Sequence, residues 1–311
     1  MKDRLGNQLF RYAMARTLQL KFYPNYDLII NTNAFKNVTD QRKQEGFDCT
    51  IRDFKIKVAG YTDKLPSQCK TLLQKCLSVV RGRIFYKILP YRLFKSADFN
   101  IFHPILNIFG LYIPGTLTSY IKPHRSSSKN ILVQGCFEHS AYFDGIRDTL
   151  LEEFTPIHDP LPRNSSFLRD ITSSDSVCVS IRRGDFLSPK ISAEFNVCNE
   201  EYFVTAMKAI REEIPGCKFF VFSDDVDDVK RNMHFPFDVT YERGNDPVWE
   251  KLRLMYSCRH FIISNSTFSW WAQYLSRNPG KIVYAPIPWL WDGGNGESIY
   301  SSYVRTIRCH R

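Results

Sequence analysis

Short apolar runs and amphipathic stretches take turns through the second half of the chain. The apolar runs predict strands at 177–182, 218–222, 261–263 and 281–284. The spacing of apolar positions between them predicts helices at 165–172, 199–214, 225–233, 247–257 and 267–275. Such alternation is typical of a parallel sheet with helices on both faces, because parallel strands need crossover connections. We therefore predict an α/β fold for this half.

The first half has a weaker pattern. A turn signal at 5–8 precedes a helical stripe, and later segments predict strands at 26–30, 54–58 and 131–133 and a helix at 142–154. The aromatic and proline-rich stretch 96–130 predicts loops. Prolines at 156, 160 and 162 predict a linker, so we expect an N-terminal domain at 1–158 and a C-terminal domain at 159–311.

The composition is that of a globular protein, with 43% hydrophobic and 24% charged residues among 311. The formal charge of +10 favours anionic partners, which include nucleic acid, acidic lipid and phosphorylated small molecules. The segment 64–95 carries eight basic residues and no acidic one. It is either a surface for anionic membrane or a helix pair with a solvated basic face.

Nine cysteines form no CxxC pair, and their odd number argues against a disulfide framework. The sequence has no recognisable signal peptide and no apolar run long enough to span a bilayer. We therefore expect a cytoplasmic protein that touches a membrane only peripherally.

Two arginines, Arg182 and Arg183, end the first strand of the second half. Ligands of open α/β sheets bind at the carboxyl ends of the strands, and guanidinium groups grip diphosphates with paired hydrogen bonds. A surface salt bridge is the alternative interpretation.

A polar turn, Asn265-Ser266-Thr267, joins a later strand to a helix. Free backbone N–H groups at such a helix start bind phosphate. The alternative is that Ser266 or Thr267 caps the helix.

The acidic run 224–228 follows another strand. Asp224 and Asp225 can accept hydrogen bonds from a guanine edge or a ribose, and a metal site is also conceivable. The competing explanation is that carboxylates are favoured at a helix start.

Gly6, Asn7 and Gln8 form a short glycine-amide motif before the first helix, where a backbone can approach a ligand closely. The polar positions at 182, 224 and 266 all follow predicted parallel strands. We therefore expect a single site at the carboxyl edge of one sheet.

The chain resembles the α-1,2-fucosyltransferases of glycosyltransferase family 11. The resemblance rests on segments spread along most of the sequence, namely LGNQLFRYAMAR, QGCFEHSAYF, VSIRRGDF, FFVFSDD, IISNSTFSWWA and KIVYAPIPW. It implies two Rossmann-like domains of GT-B type that face each other across a cleft. It also implies inverting, metal-independent transfer of L-fucose from GDP-β-L-fucose to the 2-hydroxyl of a galactoside, with no cofactor.

By this resemblance the C-terminal domain binds GDP-fucose and the N-terminal domain faces the acceptor glycan. Arg182 would hold the diphosphate with support from Arg183, and the nucleotide pocket would include Ser266, Thr267 and Phe268. Gly6 and Gln8 would face the cleft. The catalytic base is assigned to Asp185 or Asn7.

Two positions depart from the family pattern. Ser180 stands where the family motif has a histidine, which affects a guanine contact. Glu250-Lys251 stands where relatives carry an aspartate, so guanine recognition would either be weakened or shift to Glu250.

Two other functions compete with an active transferase. A catalytically degenerate relative would bind a nucleotide sugar without turnover. A nucleic-acid binder would use the positive charge and bind with strong salt dependence, but this reading leaves the segment 264–271 unexplained. We therefore expect no nucleic-acid partner.

Overall fold

The computed structural model describes residues 1, 3–44, 46–64, 107–108, 110–112, 120–189, 191–291 and 299–311. The chain divides into two compact units, the first formed by Met1–Cys49 and Lys57–Leu150 and the second by Thr50–Ile56 and Leu151–Arg311. The division falls at residue 150, and the proline-rich stretch 156–162 lies inside the second unit.

The second unit is built on a six-stranded sheet in which all strand pairs are parallel. Its strands are β5 (Ser176–Ile181), β6 (Lys218–Ser223), β7 (Val239–Tyr241), β8 (His260–Ile263), β9 (Val283–Ile287) and β10 (Val304–Arg308). Their order across the sheet is β10-β9-β8-β5-β6-β7. The predicted α/β fold with a parallel sheet is confirmed.

Helices connect these strands. They are α4 (Ser165–Thr172), α5 (Ser192–Phe195), α6 (Glu200–Glu213), α7 (Val226–Asn232), α8 (Val248–Tyr256) and α9 (Thr267–Leu275). All six residues of β5 are buried, as expected for a central strand covered on both faces. In α9, Trp270 and Trp271 are fully enclosed, and Trp271 meets Phe154 edge to face at a centroid distance of 5.2 Å.

The element predictions for this half hold with small shifts, since α4 and α9 have the predicted bounds. The strand predicted at 281–284 runs instead from Val283 to Ile287. Two strands were not predicted. β7 has only three residues. β10 has the sequence Val-Arg-Thr-Ile-Arg, in which the two aliphatic residues are only partly buried, so neither strand shows a clear apolar run.

The first unit contains α1 (Leu5–Phe22), α2 (Asp40–Gln44) and the first part of α3 (Arg147–Glu153). Its described strands form two parallel pairs, β1 (Ile29–Asn31) with β2 (Gly60–Thr62) and β3 (Leu111–Tyr112) with β4 (Leu132–Val133). No helix among those described is both long and apolar enough to cross a bilayer. Apart from Lys64, the predicted basic segment 64–95 lies outside the described residues.

One prediction around this unit is wrong, and another holds only over part of its range. The strand expected at 54–58 is absent, because Phe54 makes only an isolated bridge to Pro156 and the preceding residues form a 3-10 turn. Burial still alternates along this segment, which explains the misleading pattern. The helix expected at 142–154 starts later, at Arg147, after two 3-10 turns.

Candidate active site

The carboxyl edge of the six-stranded sheet gathers the polar residues that follow β5, β6 and β8. These three strands are neighbours, with Ser180 of β5 level with Phe222 of β6 and Ile263 of β8. Arg182, Asp224 and Ser266 therefore leave the sheet from adjacent strand ends. The three positions thus lie at one edge of the sheet, and the structure shows direct contact between Arg182 and Asp224.

Arg182 is the first residue beyond β5, and its guanidinium is held on several sides. It forms ion pairs with Asp185 and with Asp224, whose Oδ2 lies 2.9 Å from Arg182 Nη1. The guanidinium carbon Cζ lies 4.9 Å from the centre of the Phe186 ring. Its Nε is buried and has no hydrogen-bond partner among the described residues. An unmet buried donor costs about 1–3 kcal/mol, so a ligand oxygen at Nε would be favourable.

Arg183 is tied to the acidic run that follows β6. Its Nε pairs with Asp228, and its backbone N–H donates to Asp224 Oδ1 at 2.8 Å. Burial alone would raise the pKa of Asp228, but hydrogen bonds from Arg183 and Asn232 outweigh it and hold that pKa below its ordinary value. The two arginines are thus already paired with carboxylates.

Glycine is needed at position 184 because the Asp224 side chain lies very close to its backbone. A Cβ built on it would lie 2.5 Å from Asp224 Oδ2, which is closer than real Cβ contacts. Only glycine lets the Asp224 carboxylate reach Arg182 and the Arg183 backbone at the same time.

The acidic run 224–228 partly serves the start of helix α7, as the competing explanation predicted. Asp225 is the N-cap of α7, and its Oδ1 accepts from the Asp228 N–H at 2.9 Å. Among the described residues, no three His, Cys, Asp or Glu side chains are grouped so that they could hold a metal ion.

Ser266 occupies the N-cap position of α9 but does not cap it. Its side chain makes no capping hydrogen bond, and its own N–H donates to Ser264 O at 2.7 Å. The first turn, which includes Thr267 and the half-buried Phe268, contains no acidic residue. The capping interpretation is therefore wrong for Ser266, and this helix start retains its capacity for an anion.

Asn265 fixes the turn before this helix. Its Nδ2 donates to the carbonyl oxygens of Phe195 and Trp289, both at 2.9 Å, and its Oδ1 accepts from Cys198 Sγ at 3.7 Å. One amide therefore joins three segments at the edge of the sheet, a role that no local sequence pattern predicts.

Ser180 is committed to the interior. Its Oγ lies 2.7 Å from Ser269 Oγ, which in turn lies 3.2 Å from Ser264 Oγ. The residue is only 5% exposed. The predicted donor contact through its hydroxyl would have to break this chain, so the structure assigns Ser180 to the packing of α9 on β5.

Glu250 does not fit the predicted guanine contact. The residue is fully buried, and both carboxylate oxygens are occupied. Oε2 lies 2.8 Å from Arg253 Nη1, and Oε1 accepts from the Leu161 N–H at 3.0 Å and from Asn164 Nδ2 at 3.2 Å. Glu250 instead ties the segment before α4 to α8.

Lys251, which departs from the family pattern, lies at the same edge of the sheet. Its Nζ donates to Ser223 O at 2.7 Å, at the end of β6, and pairs with Glu242 at 2.8 Å. Burial raises the pKa of Glu242, with Lys251 opposing the shift. Lys251 thus brings a third cation to this edge of the sheet.

The predicted turn at 5–8 is wrong, because α1 already begins at Leu5 and Gly6 and Asn7 belong to its first turn. The reversal lies earlier, at Asp3, whose φ is +64°. Gln8 is fully buried, and its Nε2 donates to the carbonyl oxygens of Asp3 and Asp48. Its role in the first unit is therefore structural, whereas Asn7 Oδ1 is buried without a hydrogen-bond partner among the described residues.

Glu138 is a second residue that the sequence analysis missed. Burial raises the pKa of its carboxyl to about 7, with Arg11 opposing and Asp3 reinforcing the shift. Arg11 itself pairs with Asp3 at 2.6 Å and donates from Nε to Gly135 O at 2.7 Å. The signal available in the sequence was a lone glutamate between apolar and aromatic residues in 134–143.

Comparison with known proteins adds a family to this geometry. Residues 1–290 match glycosyl transferase family 11. An α-1,2-colitosyltransferase of Escherichia coli is 34% identical over 162 residues, which cover 50% of this chain and 55% of that protein. An O-antigen biosynthesis glycosyltransferase of Escherichia coli is 26% identical over 310 residues, with 94% of each chain covered.

A galactoside 2-α-L-fucosyltransferase of Caenorhabditis elegans is 26% identical over 174 residues, which cover 51% of this chain and 47% of that protein. The matches to the colitosyltransferase and to this fucosyltransferase thus span about half the length of those relatives. The family match covers nearly the whole of the present sequence. The chain therefore belongs to glycosyl transferase family 11, a family of sugar-transferring enzymes.

Proposed function

We propose that the protein is a galactoside 2-α-L-fucosyltransferase of surface glycan synthesis. It transfers L-fucose from GDP-β-L-fucose to the 2-hydroxyl of a galactose-containing acceptor glycan, with inversion and without a metal ion. Family membership and the α-1,2-transferases among its relatives support the reaction class.

The observation that carries the proposal is that Arg182 and the start of α9 follow neighbouring strands, β5 and β8, at the same edge of the sheet. Arg182 Nε is buried and has no hydrogen-bond partner within the described part of the chain. The start of α9 has no acidic residue and no side-chain cap from Ser266. Both features favour anionic oxygens, and they leave the sheet from the adjacent strands β5 and β8.

The chemistry follows from where charge develops. As the bond between fucose and GDP breaks, negative charge grows on the departing diphosphate, and donors aimed at it stabilise the transition state. Arg182 and the N–H groups of Thr267 and Phe268 would supply this stabilisation. Arg183 and Lys251 would add positive charge at the same edge.

Binding of the diphosphate is then an exchange of partners. Asp185 and Asp224 form ion pairs with Arg182, and a diphosphate has to compete with them. Asp224 and Asp228 are engaged by arginines and Asp225 caps α7, so these carboxylates serve the protein's own structure. This supports a reaction that needs no metal at the acidic run.

The acceptor hydroxyl has to lose a proton. Asp185 acts as the base only if its pair with Arg182 opens, and Asn7 can orient a hydroxyl but cannot accept its proton.

A specific observation favours one other function. Ser180 replaces the family histidine and is bound to Ser269, while Arg182 is closed by two carboxylates. A protein that binds a nucleotide sugar without turnover would have these features.

One experiment separates the two functions. The protein is incubated with GDP-fucose and a panel of β-galactosides, and released GDP and fucosylated product are quantified with and without EDTA. The transferase releases GDP only when an acceptor is present, at the same rate in EDTA. GDP-fucose that raises Tm without any release identifies the non-catalytic binder, and a rate lost in EDTA and restored by Mn²⁺ contradicts the metal-free reaction.

A further inference from the structure

Three aromatic rings form a cluster in the first unit that has no part in the proposed chemistry of the sheet edge. The ring of Tyr120 lies 5.6 Å from that of His139 and 5.0 Å from that of Tyr142, measured between centroids. Tyr142 is only 4% exposed, whereas Tyr120 is 42% exposed. The cluster therefore runs from the core of this unit to its surface, and we call these three residues the aromatic platform.

Hydrogen bonds hold the rings of the aromatic platform in place. The Ile121 N–H donates to Tyr142 Oη at 3.0 Å, which ties the backbone beside Tyr120 to the inner ring. The Ala141 N–H donates to His139 Nδ1 at 3.1 Å, so the imidazole is anchored to the turn that carries Tyr142. Because the rings are already held, binding a ligand on them would cost little side-chain entropy.

Backbone strain at Phe137 supports a functional role for the aromatic platform. Phe137 has φ +56°, in the left-handed region that bulky residues rarely adopt because it costs free energy. Its ring packs edge to face against Tyr142 with centroids 5.5 Å apart, and its carbonyl oxygen accepts from the His139 N–H at 2.8 Å. The strained residue thus contacts two of the three platform residues. Strain of this kind is concentrated at ligand-binding and catalytic sites.

The hydrogen-bonding groups of the aromatic platform are neutral. Since His139 Nδ1 accepts a hydrogen bond, the ring proton lies on Nε2, which is a donor. Burial lowers the pKa of His139, with the charge of Asp144 opposing the shift, so the imidazole is uncharged at neutral pH. The Tyr120 hydroxyl can both donate and accept. Such a surface suits an uncharged ligand that is rich in hydroxyl groups.

A galactose ring has the matching chemistry. The faces of aromatic rings carry partial negative charge and attract polarised C–H groups. The 4-hydroxyl of galactose is axial, so it projects from one face of the sugar and leaves C–H groups gathered on the other. That apolar face can stack on Tyr120, while hydroxyls at the edge of the sugar can bond to donors such as His139 Nε2.

We propose that the aromatic platform is the subsite at which the first unit binds the galactose ring of the acceptor glycan, with the sugar stacked on Tyr120. This inference rests on the proposed function, which makes a galactoside the acceptor. Stacking covers one face of the sugar and leaves its 2-hydroxyl, at the edge of the ring, accessible for transfer.

The direct test measures binding of methyl β-D-galactopyranoside by saturation-transfer difference NMR, without any donor. For the wild type we expect the largest signals from the C–H protons of the apolar sugar face. Tyr120→Ala should raise the Kd about 10-fold, because it removes the stacked ring. Tyr120→Phe keeps the ring and should stay within about twofold of the wild type.

Two further variants serve as controls. Tyr120→Leu keeps an apolar contact with Tyr142 but has no aromatic face, so it should bind as weakly as Tyr120→Ala and separates stacking from packing. Tyr303→Ala removes a tyrosine of similar exposure, 43%, in the second unit and should leave the Kd unchanged. The Tm of each variant verifies that it folds.

Fucosyl transfer, measured on the same variants, separates this inference from the proposed function. Tyr120→Ala and Tyr120→Leu should raise the KM for the galactoside and leave the KM for GDP-fucose unchanged. Wild-type Kd and KM values in both variants would overturn the platform and leave the transferase intact. Absence of galactoside signals in a wild type that transfers fucose to other sugars would also overturn it. Galactoside binding that depends on Tyr120, without transfer, would support the platform and refute the proposed function.

Discussion

The sheet edge of the second unit and the start of α1 in the first unit both combine arginines with carboxylates, yet they treat charge differently. At the sheet edge, Arg182 and Arg183 each have a carboxylate partner within reach. At the start of α1, Arg11 faces both Asp3 and the buried Glu138, and the pKa of Glu138 rises to about 7.

The difference shows that burial and partner number together decide what a carboxylate can do. Asp228 is close to solvent and well paired, so its pKa falls and it stays ionised. Glu138 is enclosed and shares one cation with Asp3, so it keeps its proton until neutral pH. The first region is suited to exchanging one anion for another, and the second to exchanging a proton.

The largest expected effect comes from removing the cation of the sheet edge. Arg182→Ala should lower kcat/KM for GDP-fucose at least ~100-fold, because it deletes the guanidinium that we propose stabilises the departing diphosphate. Steady-state kinetics measure this, with Arg259→Ala as the control, since Arg259 forms only an exposed pair with Asp175. Near-normal turnover in Arg182→Ala would refute the role of the sheet edge.

The next effect tests the buried carboxyl of the first unit. The folded pKa of Glu138 is raised above its ordinary value of 4.5, so the stability it contributes is present below that value and is lost as pH rises through about 7. Glu138→Gln removes this titration. Between pH 5 and pH 8 the wild type should lose up to about 3 kcal/mol more unfolding free energy than the variant.

Urea denaturation at several pH values measures the difference. The control is Glu212→Gln, because Glu212 is exposed. Parallel pH profiles for wild type and Glu138→Gln would show that Glu138 ionises normally and would remove the contrast between the two regions.

A third prediction concerns the close approach at Gly184. Gly184→Ala places a methyl group where the Asp224 carboxylate lies, and the displaced carboxylate should reduce stability by about 1–3 kcal/mol. Gly216→Ala is the matched control, because a Cβ there meets nothing within 4 Å. Equal Tm values for the two variants would mean that Asp224 is free to move.

The smallest effect sharpens the idea of anion exchange. Asp224→Asn keeps an acceptor for the Arg183 N–H but removes a negative charge and the ion pair with Arg182. GDP should then bind several-fold more tightly, with a larger gain at low salt. Isothermal titration calorimetry measures this, and weaker binding would show that Asp224 assists the ligand rather than competing with it.

The sequence was sufficient for the parallel sheet because its central strands are buried on both faces and therefore read as continuous apolar runs, as in β5. The residues that meet at the sheet edge could also be predicted, since 182, 224 and 266 follow such runs. The partners with which these residues form hydrogen bonds and ion pairs could not be predicted. The pairing of Arg182 with Asp224 depends on strand order, which a local pattern does not contain.

Burial of polar residues was equally hidden. Glu250 and Gln8 look like accessible site residues in the sequence, yet both are enclosed and fully engaged. Conversely, Lys251 reaches the sheet edge because α8 directs its side chain towards the end of β6. A local pattern does not show that a polar side chain such as that of Glu250 is enclosed by partners from distant segments.

The chain of hydroxyls from Ser180 through Ser269 to Ser264 has a consequence for ligand capture. It holds the first turn of α9 against two strands, so the backbone N–H groups that we propose bind a pyrophosphate are already in position. The first turn of α9 would then lose little conformational entropy when a nucleotide binds, so less of the binding free energy would be spent on ordering it.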